Sequence, residues 1–375
     1  MKKNRYANII KSITLLICVL MSASITTMLC ACNAGNGIQS AANIQGNEEP
    51  TPTVTPTSEK VETSPADGET EGYGDTFQGK TNSPEEGNVV DLIMFMGQYN
   101  MSGEGGDASL APKVSEEAGM EFRPISDPTR LYRIEEPFGA NENNPSGLNE
   151  FPGVKKGSLV SSFVNEYHDL TGRRVIAVSA SMSNADMEIW TSEGVMTDVR
   201  QRLENSVSYL ENNGYKIGHI YGLWLHGEAD GLKGSTADSY KNSLEKIMSP
   251  LFKTGLEKLF IITPGRTIDY TDIYHTIVES EIELCKKNNH YAIATTVLSR
   301  VSTEYMVDQY HYNQHVLNYV GTEAAKSVAY YTQNNVEKIV YDFKEGEYIV
   351  PNGVDKNSQM LEEPLYPSDV DINKL

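Results

Sequence analysis

The chain is short of cysteine, short of positive charge and, over one long stretch, nearly free of large apolar side chains. Only four cysteines occur in 375 residues: Cys18, Cys30, Cys32 and Cys285. The first three lie in or just after an N-terminal apolar run. Cys285 therefore stands alone in the body of the chain, which excludes a disulfide framework. It falls in a helical-looking stretch, Ile273 to Lys287, and reads as a packing residue. Lysine and arginine number 31 against 51 aspartates and glutamates, a formal charge of −20. A chain this acidic has no electrostatic attraction for nucleic acid or anionic lipid, so no nucleic-acid partner is expected. No internal repeat is visible.

The N-terminus carries Lys2, Lys3, Arg5 and Lys11, then an apolar run from Ile13 to about Leu29. A charged region followed by an apolar one reads as a secretory signal. The run ends in Leu29-Cys30-Ala31-Cys32, which resembles a bacterial lipobox with Cys32 as the lipidated residue. An uncleaved membrane anchor is the alternative, but the small residue before Cys32 and the polar one after it do not continue a span. The expectation is a signal peptide over 1–31 and a protein exported and lipid-anchored through Cys32 to the outer face of the bacterial cell membrane. Several acyl chains there would hold it firmly, where one alone is marginal. Losing 1–31 removes four cations and no acids, taking the charge from −20 to about −24. Residues 32–88 are mainly Thr, Pro, Glu, Gly, Ser and Asn. Such a composition cannot bury enough surface to offset its ordering entropy and predicts a disordered tether.

From 89 to 333 the pattern changes to short β-branched runs alternating with amphipathic stretches. Strands are expected at 89–96, 174–180, 218–225, 257–263 and 291–297, and helices at 158–170, 197–213, 236–253, 272–288 and 313–331. Strands alternating with helices imply βαβ units, hence an α/β fold with a mostly parallel sheet of about five strands covered on both faces. Functional residues should then stand at the carboxyl ends of the strands. A C-terminal extension, 334–375, holds two strand-like pieces, Val336–Phe343 and Glu347–Val350, and reads as a hairpin and a loose tail.

Four motifs stand in order along the domain. Gly97-Gln98-Tyr99-Asn100-Met101 follows the apolar run Val89 to Met96 and leads into Gly103-Glu104-Gly105-Gly106. Ser181-Met182-Ser183-Asn184-Ala185 runs on to Trp190, Trp224-Leu225-His226-Gly227-Glu228-Ala229-Asp230 follows, and Asp308-Gln309-Tyr310-His311 is the last. Together they resemble the sialate O-acetylesterase family, a carbohydrate-esterase branch of the SGNH hydrolases. The resemblance spans nearly all of 89–333 and implies a three-layer, flavodoxin-like α/β/α domain. It further implies O-acetylated sugars or glycans as partners, cleaved by water with no cofactor and no metal.

Ester hydrolysis on such a scaffold needs an exposed nucleophile, a base oriented by a carboxylate, and donors facing the oxyanion. The resemblance makes His311 the base and Asp308 the group that fixes its tautomer. The Asp-x-x spacing would equally suit a helix cap. At the nucleophile position the family has serine, and here stands Tyr99. Its phenol oxygen sits at the far end of a rigid ring that would fill the acetyl space. Ser102 is a spare hydroxyl, read as a turn or capping serine. Ser183 and Asn184 occupy the family's Gly-Gly oxyanion pair, and Asn tolerates the positive φ that site could require. His226 stands where glutamine usually donates, and neutral histidine can also donate one hydrogen bond.

Gln98, Asn100 and Glu228 are read as substrate-binding, with Arg123 and Arg266 as cations suited to a carboxylated sugar or else to surface salt bridges. Trp190 and Tyr310 are candidate stacking surfaces, Trp190 also being a natural core residue. His226, Glu228 and His311 have zinc-type ligand chemistry, but Glu228 is as well explained by a structural turn bond, and no metal is assigned. The expectation is a glycan-binding lipoprotein with little or no serine-type hydrolysis. Its rivals are an esterase working through Tyr99, Ser102 or an activated water, and a structural or partner-binding lipoprotein. The sequence does not indicate an oligomeric state.

Overall fold

Strand β1, Val89–Gly97, is buried from Val90 onward, as a central strand covered on both faces must be. Its alternate residues divide between two cores: Val90, Leu92, Met94 and Met96 face one, Ile93 and Phe95 the other. In this computed structural model residues 88–361 and 363–374 are described. The expected signal peptide, Cys32 and all of the tether before Asn88 lie outside them.

The remaining strands are β2 Gly119–Arg123, β3 Asp127–Arg133, β4 Arg174–Ser181, β5 Lys216–Leu225, β6 Lys258–Ile262, β7 Tyr291–Thr295, β8 Val340–Asp342 and β9 Glu347–Ile349. The helices are α1 Tyr99–Ser102, α2 Val160–Thr171, α3 Met187–Trp190, α4 Glu193–Asn212, α5 Glu228–Lys233, α6 Ala237–Thr254, α7 His275–Lys287 and α8 Gln314–Asn334. Seven strands form one sheet in the order β3-β2-β4-β1-β5-β6-β7, parallel throughout except for β3. Helices α4, α6 and α7 cover one face, and α2 and α8 the other. The result is a three-layer α/β/α domain. Cys285 lies buried in α7 as a free thiol.

The sheet has two more strands than the five expected. Both additions, β2 and β3, lie at one edge. β3 is largely exposed and carries Asp127, Pro128, Arg130 and Arg133, so it lacks the apolar run that marks a buried strand. The expected C-terminal hairpin forms as antiparallel β8 and β9. The tail beyond it is less loose than its composition suggests, because Ile372 is buried in the α2–α8 core.

The chain leaves β1 for strands on one side, then crosses from β4 to β5 on the other. The switch point of this winding lies at the carboxyl ends of β1, β4 and β5, where open α/β sheets bind their ligands. Close packing there depends on Gly97. It has φ +143°, and a Cβ built on it would lie 1.9 Å from the Leu225 carbonyl oxygen. The Gln98 amide donates to that same oxygen at 3.1 Å. Neither the backbone angle nor the space admits a side chain, and the obstacle is main chain that cannot swing aside. Gly97→Ala should therefore cost at least about 2 kcal/mol. Denaturant unfolding measures it, and a loss under about 0.5 kcal/mol would show that the β1–β5 contact relaxes.

Candidate active site

The turn after β1 is built on a buried polar hub. Glu228, at the start of α5, accepts from Gln98 Nε2 at 3.0 Å through one oxygen and from Asn100 Nδ2 at 3.1 Å through the other. Asn100 Nδ2 also donates to the Tyr310 carbonyl at 3.3 Å, and its Oδ1 accepts from the Tyr312 amide at 3.1 Å. Burial pushes the Glu228 carboxyl above its ordinary range, against these hydrogen bonds and the charge of His311. Gln98, Asn100 and Glu228 are all buried and turned toward one another. Their reading as substrate contacts is therefore corrected: they clamp the nucleophile turn to the loop that carries His311.

That loop places Asp308 and His311 as a dyad. His311 Nδ1 donates to Asp308 Oδ2 at 2.7 Å, while Asp308 Oδ1 accepts from the amides of Tyr310 and His311 at 2.9 and 3.0 Å. The N-cap of α8 is Asn313, whose side chain accepts from the Val316 amide, so Asp308 is free of that duty. On the other side of the ring stands a residue that sequence reasoning passed over. Glu104 Oε2 lies 3.4 Å from His311 Nε2, an ion-pair distance too long for a good hydrogen bond. The available signal was a carboxylate within the Gly-rich turn that follows α1. Burial alone would lower the His311 pKa, but the Glu104 and Asp308 carboxylates outweigh it and hold the imidazole above its ordinary value. Asp308 is held low in turn, its bonds to His311 and the two amides prevailing over burial.

Tyr99 begins α1, and its ring packs edge-on against His311 with centroids 5.2 Å apart. Its Oη donates to Asn184 Oδ1 at 2.5 Å, away from the imidazole nitrogens. Burial, then the charges of Glu228 and Glu104, push the phenol up to about 12. Asn184 adopts the left-handed conformation, φ 57°, and sits exposed over Tyr99. The Ser183 amide, an expected oxyanion donor, is taken by Glu150 Oε2 at 2.6 Å.

Other expected participants lie elsewhere. His226 is fully buried among Trp190, Trp224 and Tyr240. Its Nε2 donates to the Ala185 carbonyl at 2.7 Å, and burial drives its pKa to about 3, so it is a neutral packing residue rather than an oxyanion donor. Trp190 shares that core, which removes it as a stacking surface, whereas Tyr310 is half-buried beside His311. Arg123 is spent on Glu121, with bonds of 3.0 and 2.7 Å, and stacks over Tyr132 at 3.9 Å. Arg266 lines a separate cleft of about 400 Å³ with Arg300 and Lys344, and neither Tyr99 nor His311 borders it. Ser102 is buried at the end of α1, facing no solvent.

The histidine–aspartate dyad thus stands at the switch point of a three-layer α/β/α sheet. The family model for carbohydrate esterase, sialic acid-specific acetylesterase, matches residues 89–330, and the chain belongs to that family. Among solved structures the chain is similar to an Arabidopsis thaliana protein at 16% identity and TM-score 0.43, covering 66% of this chain and 98% of that one. It is also similar to NanS, at 11% identity and TM-score 0.46, covering 67% and 99%. A carbohydrate acetylesterase from Xanthomonas citri aligns at 14% identity and TM-score 0.38, covering 64% and 57%. No curated relative matches the chain.

The two carboxylates around His311 set a measurable pH response. A folded pKa above the unfolded value of about 6.5 gives stabilisation that is complete below it and lost as pH rises through the folded value. Glu104→Gln should lower the His311 pKa in an NMR titration. It should also cost more thermal stability near pH 5.5 than near pH 9. Equal costs at the two pH values would show that Glu104 does not charge the imidazole.

Proposed function

We propose that this protein is a surface lipoprotein, anchored through Cys32, whose esterase-family domain engages O-acetylated glycans and has lost most or all serine-type hydrolysis. One observation carries the reading: the Tyr99 ring lies against His311 while its hydroxyl donates to Asn184. The space beside the base is filled by a side chain whose proton is directed elsewhere. With its pKa near 12, the phenol is ionised in on the order of one molecule in 10⁵ at pH 7. The Ser183 amide, engaged with Glu150, supports the same conclusion from the oxyanion side. Loss of a serine nucleophile costs on the order of 10⁶-fold in turnover in subtilisin, which sets the scale of the effect.

A second reading, hydrolysis by a water that His311 activates, draws on the intact 2.7 Å contact between His311 and Asp308. The two readings part in an assay of the full-length protein on an aryl acetate and on O-acetylated sialic acid. The expected result is no turnover above a His311→Ala control. Turnover that His311→Ala abolishes would overturn the inactive reading in favour of the second. Tyr99→Ser should open the acyl space and yield weak, His311-dependent turnover, limited by the engaged Ser183 amide.

A further inference from the structure

Among the described residues, three buried polar atoms at the dyad have no hydrogen-bond partner: His311 Nε2 and Glu104 Oε2, which face each other only as a long ion pair, and Ser183 Oγ. His311 is 6% exposed and Ser183 9%, so bulk water does not freely serve them. Glu104 bridges the group. Its Oε2 is 3.4 Å from His311 Nε2, and its carboxyl is held below the usual range by His311 first and also by Ser183, against the effect of burial. The Glu104 side chain is 27% exposed, which leaves the cluster one opening to solvent. Buried polar atoms without a close hydrogen bond are rare in folded proteins because each forfeits one it had in water.

The three differ in what they require. A carboxylate only accepts, a protonated imidazole only donates, and a serine hydroxyl does either. An acetyl ester offers acceptors alone, and its carbonyl or ester oxygen would be set against Glu104. A sugar hydroxyl both donates and accepts. One such hydroxyl can donate to Glu104 Oε2 and accept from His311 Nε2–H, and Ser183 Oγ can serve its neighbour on the ring. The Tyr99 ring meanwhile fills the space an acyl group would need.

We propose that Glu104, His311 and Ser183 form a binding site for a free sugar hydroxyl, so that the domain selects glycans unacetylated at the position meeting His311. This rests on the glycan-binding reading and narrows it, since acetyl groups elsewhere on the glycan remain compatible. The test is an array of O-acetylated sialosides, each present before and after mild alkaline deacetylation, probed with the full-length protein. The deacetylated member of a pair should bind about 10- to 100-fold more tightly, since the acetylated member would leave a buried polar group unsatisfied. Glu104→Gln and Ser183→Ala, each assayed well below its own melting temperature, should each erase most of that preference. Equal or tighter binding of the acetylated members would overturn the proposal while leaving glycan binding intact. So would a preference that survives both substitutions. Binding to neither member would sink the glycan-binding reading, and this proposal with it.

Discussion

Asn100 joins segments more than 200 residues apart in sequence, and the site exists because of it. Its side chain gives one hydrogen bond to Glu228 and one to the Tyr310 carbonyl, and accepts one from the Tyr312 amide. The end of β1, the start of α5 and the histidine loop are thereby fixed with no covalent link among them. The Glu228 carboxylate is buried, and burial of a charge is tolerable only where its oxygens are bonded. Gln98 and Asn100 supply those bonds. None of this depends on the side chain at position 99. The frame can therefore hold His311 against Asp308 whether or not a nucleophile stands in the turn.

Two histidines from the family motifs show how environment separates residues of one type. His226 lies in an aromatic core with the Asp230 carboxylate no nearer than 4.0 Å, and desolvation drives it to the neutral form against its bond to the Ala185 carbonyl. His311 is also buried, yet it stands between two carboxylates whose attraction exceeds the desolvation cost. The first is a structural donor to the Ala185 carbonyl, and the second is held toward its charged form beside Tyr99.

The central strands could be read from the sequence because a strand covered on both faces must be almost wholly apolar, as β1, β4, β6 and β7 are. Edge strands have no such obligation, and β3, with its proline and charges, left no comparable trace. The site divides in a similar way. The order of the motifs revealed the dyad, since the Asp-x-x-His spacing by itself would equally suit a helix cap. Residue type could not reveal direction. Gln98, Asn100 and Glu228 have the chemistry of ligand contacts but turn inward, toward one another and the histidine loop. Glu104 carries no signal beyond its charge, because its meaning lies in a loop closure that brings it to residue 311.

Tyr99 and Glu104 occupy one short helix and the turn that ends it, and they act on the same imidazole from different sides. The ring of Tyr99 packs against His311, Glu104 faces Nε2 at 3.4 Å, and Asp308 holds Nδ1. A general base for acyl transfer needs one nitrogen bonded to its orienting carboxylate and the other free to receive the nucleophile's proton. Here the second nitrogen faces a carboxylate that favours keeping a proton on it. Restoring a serine at 99 would supply a hydroxyl and open space, but the proton would still have to move to a nitrogen that Glu104 holds in its charged form. Tyr99 and Glu104 thus bear on the same imidazole. Both carboxylates favour a proton on the imidazole, and on the proposed reading that donor beside the Glu104 acceptor is what a sugar hydroxyl requires.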